Sequence, residues 1–383
     1  MTKKIVSMLL VLVLTVALMA GCGSPAAPAG NGATSGESIK LAVVSPVTGD
    51  SSVYGDYMRK GVDMALQEIN DAGGVLGRPL EFVYEDDKGS STDAVSVAQK
   101  IASDKSIVGV IGHVFSGCTL AAGPIYQNNG IPTIAVASTN PEVATIGEYV
   151  YRINVGDNYQ GGALAKLLNE KNVTKAAVIY DNSDYGVGVS NAFAEQYKAL
   201  NGEIVLNESY LSGADDFSLI LTQLKQSTAE VIVLCGLDTD AAKIMMQSKT
   251  LGIELPVYAT DGVYTDNFIT LAKAAVEGVY VVCYFHPSDP SESVQNFIKK
   301  FNEQYDGDVN SWSPYAYDAV MLMAEAIKKA GSTDGAAIKD AITATTNFQG
   351  ATGTINFTGA REPVEKELVI LQIVNGEYVV SEN

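Results

Sequence analysis

From Ile39 onward the chain repeats one pattern: a short apolar run, a turn, then a longer segment whose apolar residues recur at helical spacing. This alternation constrains the fold strongly, because an unbroken apolar strand needs both faces covered and an amphipathic helix supplies a cover. Ile39 to Val44 reads as the first buried strand. Met58, Val62, Ala65, Leu66 and Ile69 follow on one helical stripe, and Gly73-Gly74 provides the left-handed backbone that ends it. Strands at Leu80 to Tyr84, Ile107 to Ile111 and Thr133 to Ala137 then alternate with helices at Thr92 to Ala102 and near Thr119 to Asn128. Parallel strands joined in this way form an open α/β sheet, with the ligand crevice beyond the carboxyl ends of the strands.

A second series begins after the stretch Tyr149 to Asn154. Helices from Tyr159, Val187, Phe217 and Ala241 alternate with strands at Ala176 to Tyr180, Glu203 to Glu208, Val231 to Cys235, Val257 to Ala259 and Val279 to Tyr284. Ser291 to Ala344 is nearly all helix, and short strands near Thr354 to Phe357, Leu368 to Val374 and Glu377 to Val380 close the chain. Helices without strands of their own must pack on a sheet built earlier. The expected fold class is therefore α/β, with two open, mostly parallel-sheet lobes joined by a hinge of three crossovers. Lobe 1 is expected to hold residues 39–154 plus 286–362, and lobe 2 residues 155–285 plus 363–383.

The N-terminal segment reads as an address. Lys3 and Lys4 precede an apolar run from Met8 to Ala20, then Gly21 and Cys22. A basic start, an apolar run of about a dozen residues and small residues before a cleavage point describe a secretory signal, here residues 1–21. The run is short for a membrane span, which needs about 20 residues. Gly23 to Ser38 is almost wholly Gly, Ala, Pro, Ser, Thr and Asn, so residues 22–38 are expected to be a flexible tether. The remaining cysteines, Cys118, Cys235 and Cys283, establish no disulfide framework and are expected to be buried structural thiols.

Composition narrows the function. Of 383 residues, 25 are Lys or Arg and 44 are Asp or Glu, giving a formal net charge of −19. No basic surface for nucleic acid accumulates on such a chain. His113 and His286 share no ligand-like spacing with cysteine, so no metal site is expected. Ser116 has Val114 where a nucleophile elbow needs glycine, and no phosphate-binding or dinucleotide loop follows the first strand. Gly186-Val187-Gly188 lacks a third glycine, since Asn191 stands there. Hydrolase and dehydrogenase chemistry are disfavoured, and no cofactor is expected.

The loops after the strands carry the remaining signal. Ser45-Pro46-Val47-Thr48-Gly49 and Tyr54-Gly55 follow the first strand, Gly112 to Thr119 the third, and Ala137-Ser138-Thr139-Asn140-Pro141-Glu142 the fourth. Ser116 and Thr139 are placed at helix starts, where hydroxyls and free N–H groups can hold an anion; both serve equally well as ordinary N-caps. In the second series, Asp181 to Gly186, Gly236-Leu237-Asp238 and Asp261-Gly262 offer carboxylates and an aromatic face. A zwitterionic amino acid needs this division: donors for its carboxylate, a carboxylate for its ammonium, and apolar walls for its side chain.

Several of these segments together resemble the leucine/isoleucine/valine-binding family of ABC-transporter substrate-binding proteins, which has the type I periplasmic-binding-protein fold. The match rests on Tyr54-Gly55, the helix with Gly61, Asn70 and Gly73-Gly74, Tyr84-Glu85-Asp86, Gly112-His113 with Ser116, Ala137-Ser138-Thr139 before Pro141-Glu142, Tyr185-Gly186 and Asp261-Gly262. The leader, ending Met19-Ala20-Gly21-Cys22, likewise resembles the lipobox of bacterial lipoproteins, which implies a lipid on Cys22 and an extracytoplasmic, membrane-anchored protein. The family resemblance implies a monomeric protein that closes around an amino acid and delivers it to a permease and ATPase complex. By it, Ser116 and Thr139 would bind the α-carboxylate, the Ala137 carbonyl and Asp261 the α-ammonium, and Tyr54, Tyr185 and Trp312 would wall the side chain. Ser138 stands within the carboxylate-binding segment. Leu237 occupies a place where an aromatic residue is frequent, Asp261 one where Glu is frequent, and Phe115 and the segment around Lys88 replace a cysteine pair found in some members. A leucine, isoleucine, valine or aromatic amino acid would fit the apolar walls; a small amide or urea-like ligand stays open. So does a sensor that presents its ligand to a receptor.

Overall fold

The computed structural model describes residues 36–305, 309–364, 366 and 368–381. The leader, Cys22 and all but the last residues of the tether lie outside the described residues. The first sheet contains β1 (Ile39–Ser45), β2 (Leu80–Asp86), β3 (Ile107–Ile111), β4 (Thr133–Ala135) and β5 (Val150–Arg152). Their order is β2-β1-β3-β4-β5, and every pairing is parallel. Helices α1 (Ser52–Asp71), α2 (Ser91–Ser103) and α3 (Ser116–Asn129) connect them.

The second sheet contains β6 (Lys175–Asp181), β7 (Glu203–Tyr210), β8 (Val231–Cys235), β9 (Val257–Ala259) and β10 (Tyr280–Cys283) in parallel. Its helices are α4 (Asp157–Glu170), α5 (Asp184–Ala199), α6 (Ser218–Gln226), α7 (Asp238–Thr250) and α8 (Asp266–Ala272). The chain then leaves this sheet for α9 (Glu292–Gln304), α10 (Trp312–Ala330), α11 (Gly335–Thr343) and the hairpin of β11 (Phe348–Gly350) with β12 (Gly353–Ile355). It returns to add β13 (Val369–Val374) and β14 (Glu377–Val380), both antiparallel, beside β10. The chain passes between sheets three times, as the helix-rich third section required.

Packing shows why the late helices go back. The stripe Tyr54, Met58, Val62, Ala65 and Ile69 of α1 shares one core with Leu41 and Val43 of β1 and with Trp312, Ala316, Val320 and Ile327 of α10. Burying each large apolar side chain there is worth about 1.5–3 kcal/mol, so neither α1 nor α10 could leave this face exposed cheaply. Gly61 permits the close approach of the two helices, since a Cβ on it would overlap the Ser313 carbonyl.

One local expectation changes, and one short helix had no expectation made for it. Thr139 does not begin a helix: Asn140 caps a 3₁₀ turn, Pro141–Thr145, and accepts from Glu142 N–H at 2.9 Å. A side chain with no turn of its own to cap is left for another task. The short helix α8 also escaped the periodicity, because seven residues give barely two turns; its start is set by Thr265, whose hydroxyl accepts from Phe268 N–H at 3.2 Å.

Candidate ligand-binding site

Every candidate residue except Tyr54 and Trp312 follows the carboxyl end of a parallel strand, where an open α/β sheet places its ligands. Ser116, Ala137, Tyr185, Leu237, Asp261 and Trp312 come together around one cleft of about 240 Å³, with Val114 and Phe115. A larger hollow, about 1080 Å³, lies around Ile232, Val257 and Tyr280 at the amino ends of the second sheet's strands, away from these groups. Convergent chemistry and not volume selects the smaller cleft.

The first lobe's side of the cleft is held by its backbone. Phe115, in extended conformation, leads into α3 at Ser116, whose hydroxyl accepts from Asn140 N–H at 3.2 Å. The Arg152 guanidinium, 1% exposed, donates to the carbonyls of Ser138, Thr139 and Asn140 at 3.3, 2.8 and 2.7 Å and pairs with Glu362. One buried cation thus fixes three successive peptide units of the loop. Ser138 turns away from the cleft: its hydroxyl is 2.6 Å from Thr119 Oγ1 and 3.2 Å from the Val114 carbonyl. Thr139 is fully buried and its hydroxyl has no hydrogen-bond partner.

The second lobe's side is a side-chain network. Tyr185 donates to Asp261 Oδ1 at 2.7 Å and lies 2.8 Å from Thr260 Oγ1, while Gly262 N–H donates to its oxygen at 3.1 Å. Burial pushes the Asp261 carboxyl above its ordinary pKa, and the nearby Gln160 amide and Tyr185 hydroxyl offset part of the rise. Gln160 is near enough to Asp261 for that influence, although neither of its amide atoms reaches hydrogen-bond geometry with any group.

Tyr54 joins the two sides. Its ring packs edge-on against Phe115 and Trp312, at centroid distances of 5.5 and 4.8 Å. Its hydroxyl reaches across to the Gly262 carbonyl at 3.2 Å and accepts from Asp238 N–H at 3.4 Å. Asn140 makes a second bridge, donating to the Asp184 carbonyl at 2.6 Å. Trp312 opens α10, lies in the first lobe's core and lines the cleft, with its indole N–H buried and unpartnered. Phe115 packs against Gly89, beside Lys88, so an aromatic contact stands where the resemblance places a cysteine pair in some members. Cys118, Cys235 and Cys283 are free and buried.

Sequence reading passed over four buried polar residues. Asn154, Asp157, Gln160 and Tyr284 are buried with side-chain polar atoms that lack partners. Asp157 opens α4, where an acidic residue is an ordinary helix-start preference, so nothing in its position along the chain marks it as different.

The profile described as periplasmic binding protein matches residues 38–377. The chain belongs to that family. This binding protein is 31% identical over 329 residues to Leu/Ile/Val-binding protein homolog 1 of Brucella suis, spanning 85% of this chain and 87% of the relative. Its fold is similar to that of a leucine-binding protein from Thermotoga maritima, with 30% identity, a TM-score of 0.85 and coverage of 90% of this chain and 97% of the other. It is also similar to the branched-chain amino acid transporter substrate-binding protein of Streptococcus pneumoniae, solved with isoleucine, at 30% identity and a TM-score of 0.83, covering 90% and 100% of the two chains. These relatives are binding proteins and not enzymes. The two parallel-sheet lobes of the present binding protein are those of the type I architecture, and membership of a periplasmic family carries an extracytoplasmic location.

Proposed function

We infer that this protein is the substrate-binding lipoprotein of an ABC importer, which captures an amino acid with an apolar, branched side chain and hands it to the permease and ATPase. The observation that carries this reading is the division of labour in one cleft. A buried carboxylate, Asp261, faces the hydroxyl and helix-start end of Ser116 and the Ala137 peptide, with Leu237, Tyr185 and Trp312 as apolar walls. The ammonium is assigned to Asp261 and the Ala137 carbonyl, the carboxylate to Ser116 and Thr139, and the side chain to Leu237, Tyr54 and Trp312. Relatives named for leucine, isoleucine and valine support the same side-chain class.

In this reading the lobes are residues 39–154 with 286–362, and 155–285 with 363–383, and they close by hinge motion over a monomer's single site. Cys22 carries diacylglycerol after removal of residues 1–21. A thermal-shift screen of the mature chain against the protein amino acids tests the ligand. Leucine, isoleucine or valine at 100 times its dissociation constant adds about 2.7 kcal/mol of stability. If none of the three shifts the melting temperature while another compound class does, the assignment is wrong. Metabolic labelling with palmitate tests the anchor: label should be present in the wild type and absent from Cys22→Ser.

A further inference from the structure

We propose that Asp184 is a latch across the cleft: its carboxylate, carried on the second sheet's side, lies against the uncapped start of α3 on the first, and this contact slows ligand release. The proposal rests on reading the cleft as an amino-acid site between closing lobes. It goes further in naming a contact, apart from the ligand's own, that sets how long the ligand is held.

The start of α3 is left open by its own lobe. Fourteen residues of aligned peptide units give the helix a positive end, yet the residue before it, Phe115, caps nothing, and its first turn holds no acidic residue. Helix α2, by contrast, begins under the Ser90 hydroxyl with Asp93 in its first turn. What meets α3 comes from the other sheet. Asp184, the first residue of α5, brings a carboxylate so near that a Cβ on Gly117 would stand 2.6 Å from its Oδ2. The same Cβ would stand 3.0 Å from Ser91 Oγ, so three helix starts meet at Gly117, and its bare backbone is what lets the carboxylate approach. The other acids at this corner are engaged, Asp93 with Lys88 at 3.1 Å and Asp87 with His113 at 2.6 Å. Burial, then Asp87 and then Asp184 push up the pKa of the Cys118 thiol, so the field of Asp184 reaches into the first turn of α3.

A second contact holds the same residue. Asn140 Nδ2 donates to the Asp184 carbonyl at 2.6 Å, while the Asn140 N–H donates to Ser116 Oγ at 3.2 Å. Gly188 of α5 leaves room for that amide, since a Cβ there would stand 2.8 Å from Nδ2. Backbone and carboxylate of Asp184 thus both meet the first sheet's side, and both contacts must break for the lobes to part. Asp184 is exposed, so salt screens its attraction to the helix start and the effect on release is a small factor.

The experiment is stopped-flow release of L-isoleucine from wild type, Asp184→Asn and Gly117→Ala at low salt and at about 1 M salt, where the screening length falls to about 3 Å. Trp312, the only tryptophan, lines the cleft and reports release by its fluorescence. At low salt Asp184→Asn should release isoleucine about two- to fivefold faster than wild type, and at high salt the two rates should converge. Gly117→Ala favours the helix but displaces the carboxylate, so it should act in the same direction, and the double variant should exceed the larger single effect by nothing. If Asp184 serves only the start of α5, Asp184→Asn lowers the melting temperature and leaves the release rate unchanged, which overturns the proposal. An acceleration equal at both salt concentrations overturns it as well. If wild type binds none of leucine, isoleucine and valine, the functional reading fails, and scattering from the ligand-free proteins decides the latch by itself. A radius of gyration larger in Asp184→Asn than in wild type at low salt alone keeps it; equal radii at both concentrations remove it.

Discussion

The two sides of the cleft are built from different materials. On the first lobe, peptide groups and short hydroxyls do the presenting, and a single buried arginine clamps the loop that carries them. On the second lobe the presenting group is the Asp261 carboxyl, whose pKa burial raises and which Tyr185 and the nearby Gln160 amide steady. The first arrangement presents neutral groups on a loop that Arg152 clamps, with the Thr139 hydroxyl still without a partner. The second centres on a buried carboxyl beside an amide without partners, so it is the side that a bound cation would complete. In the proposed reading of two closing lobes, that asymmetry would assign initial binding to one lobe and the reward for closing to the other.

Breaking the charged side should therefore cost most. Asp261→Ala removes one carboxylate from a buried ammonium and is expected to weaken isoleucine by about 3 kcal/mol, on the order of a hundredfold, by calorimetry. Affinity within twofold of wild type would detach Asp261 from the site. The neutral side should be more forgiving, because backbone donors at the start of α3 survive truncation of a side chain: Ser116→Ala is expected to lose roughly 1–2 kcal/mol. A loss larger than that of Asp261→Ala would reverse the comparison. The contact between the sides should matter least to affinity. Tyr54→Phe keeps the ring against Trp312 and Phe115 but deletes the hydroxyl that meets Gly262 and Asp238. It is expected to cost about 0.5–1.5 kcal/mol and to broaden the ligand-free ensemble, read as a larger radius of gyration by small-angle scattering.

The asymmetry was only half legible in the sequence. Ser116, Ala137, Tyr185, Leu237, Asp261 and Trp312 follow strand ends or open a helix within segments that resemble a known family, and they share one cleft. Ser138 is adjacent in sequence to Ala137 and Thr139, yet its hydroxyl meets Thr119 and the Val114 carbonyl. Asp157 looked like an ordinary helix start; its distinction is full burial without a partner, a property of packing by α5 and the neighbouring crossing. Arg152 sits in a three-residue strand that carries no motif, and its three acceptors are carbonyls, which no residue type advertises.

What the sequence by itself determined was the alternation of strands and helices, hence two open, mostly parallel sheets, the return of the late helices to the first, and the placement of the candidate residues after strand ends. Those follow from local periodicity and from the need to cover every apolar face. Only the tertiary structure decided which buried polar groups are left without partners. Hydrogen-bond satisfaction depends on what approaches from the other lobe, at distances of a few ångströms between residues far apart in the chain, and no local pattern encodes that.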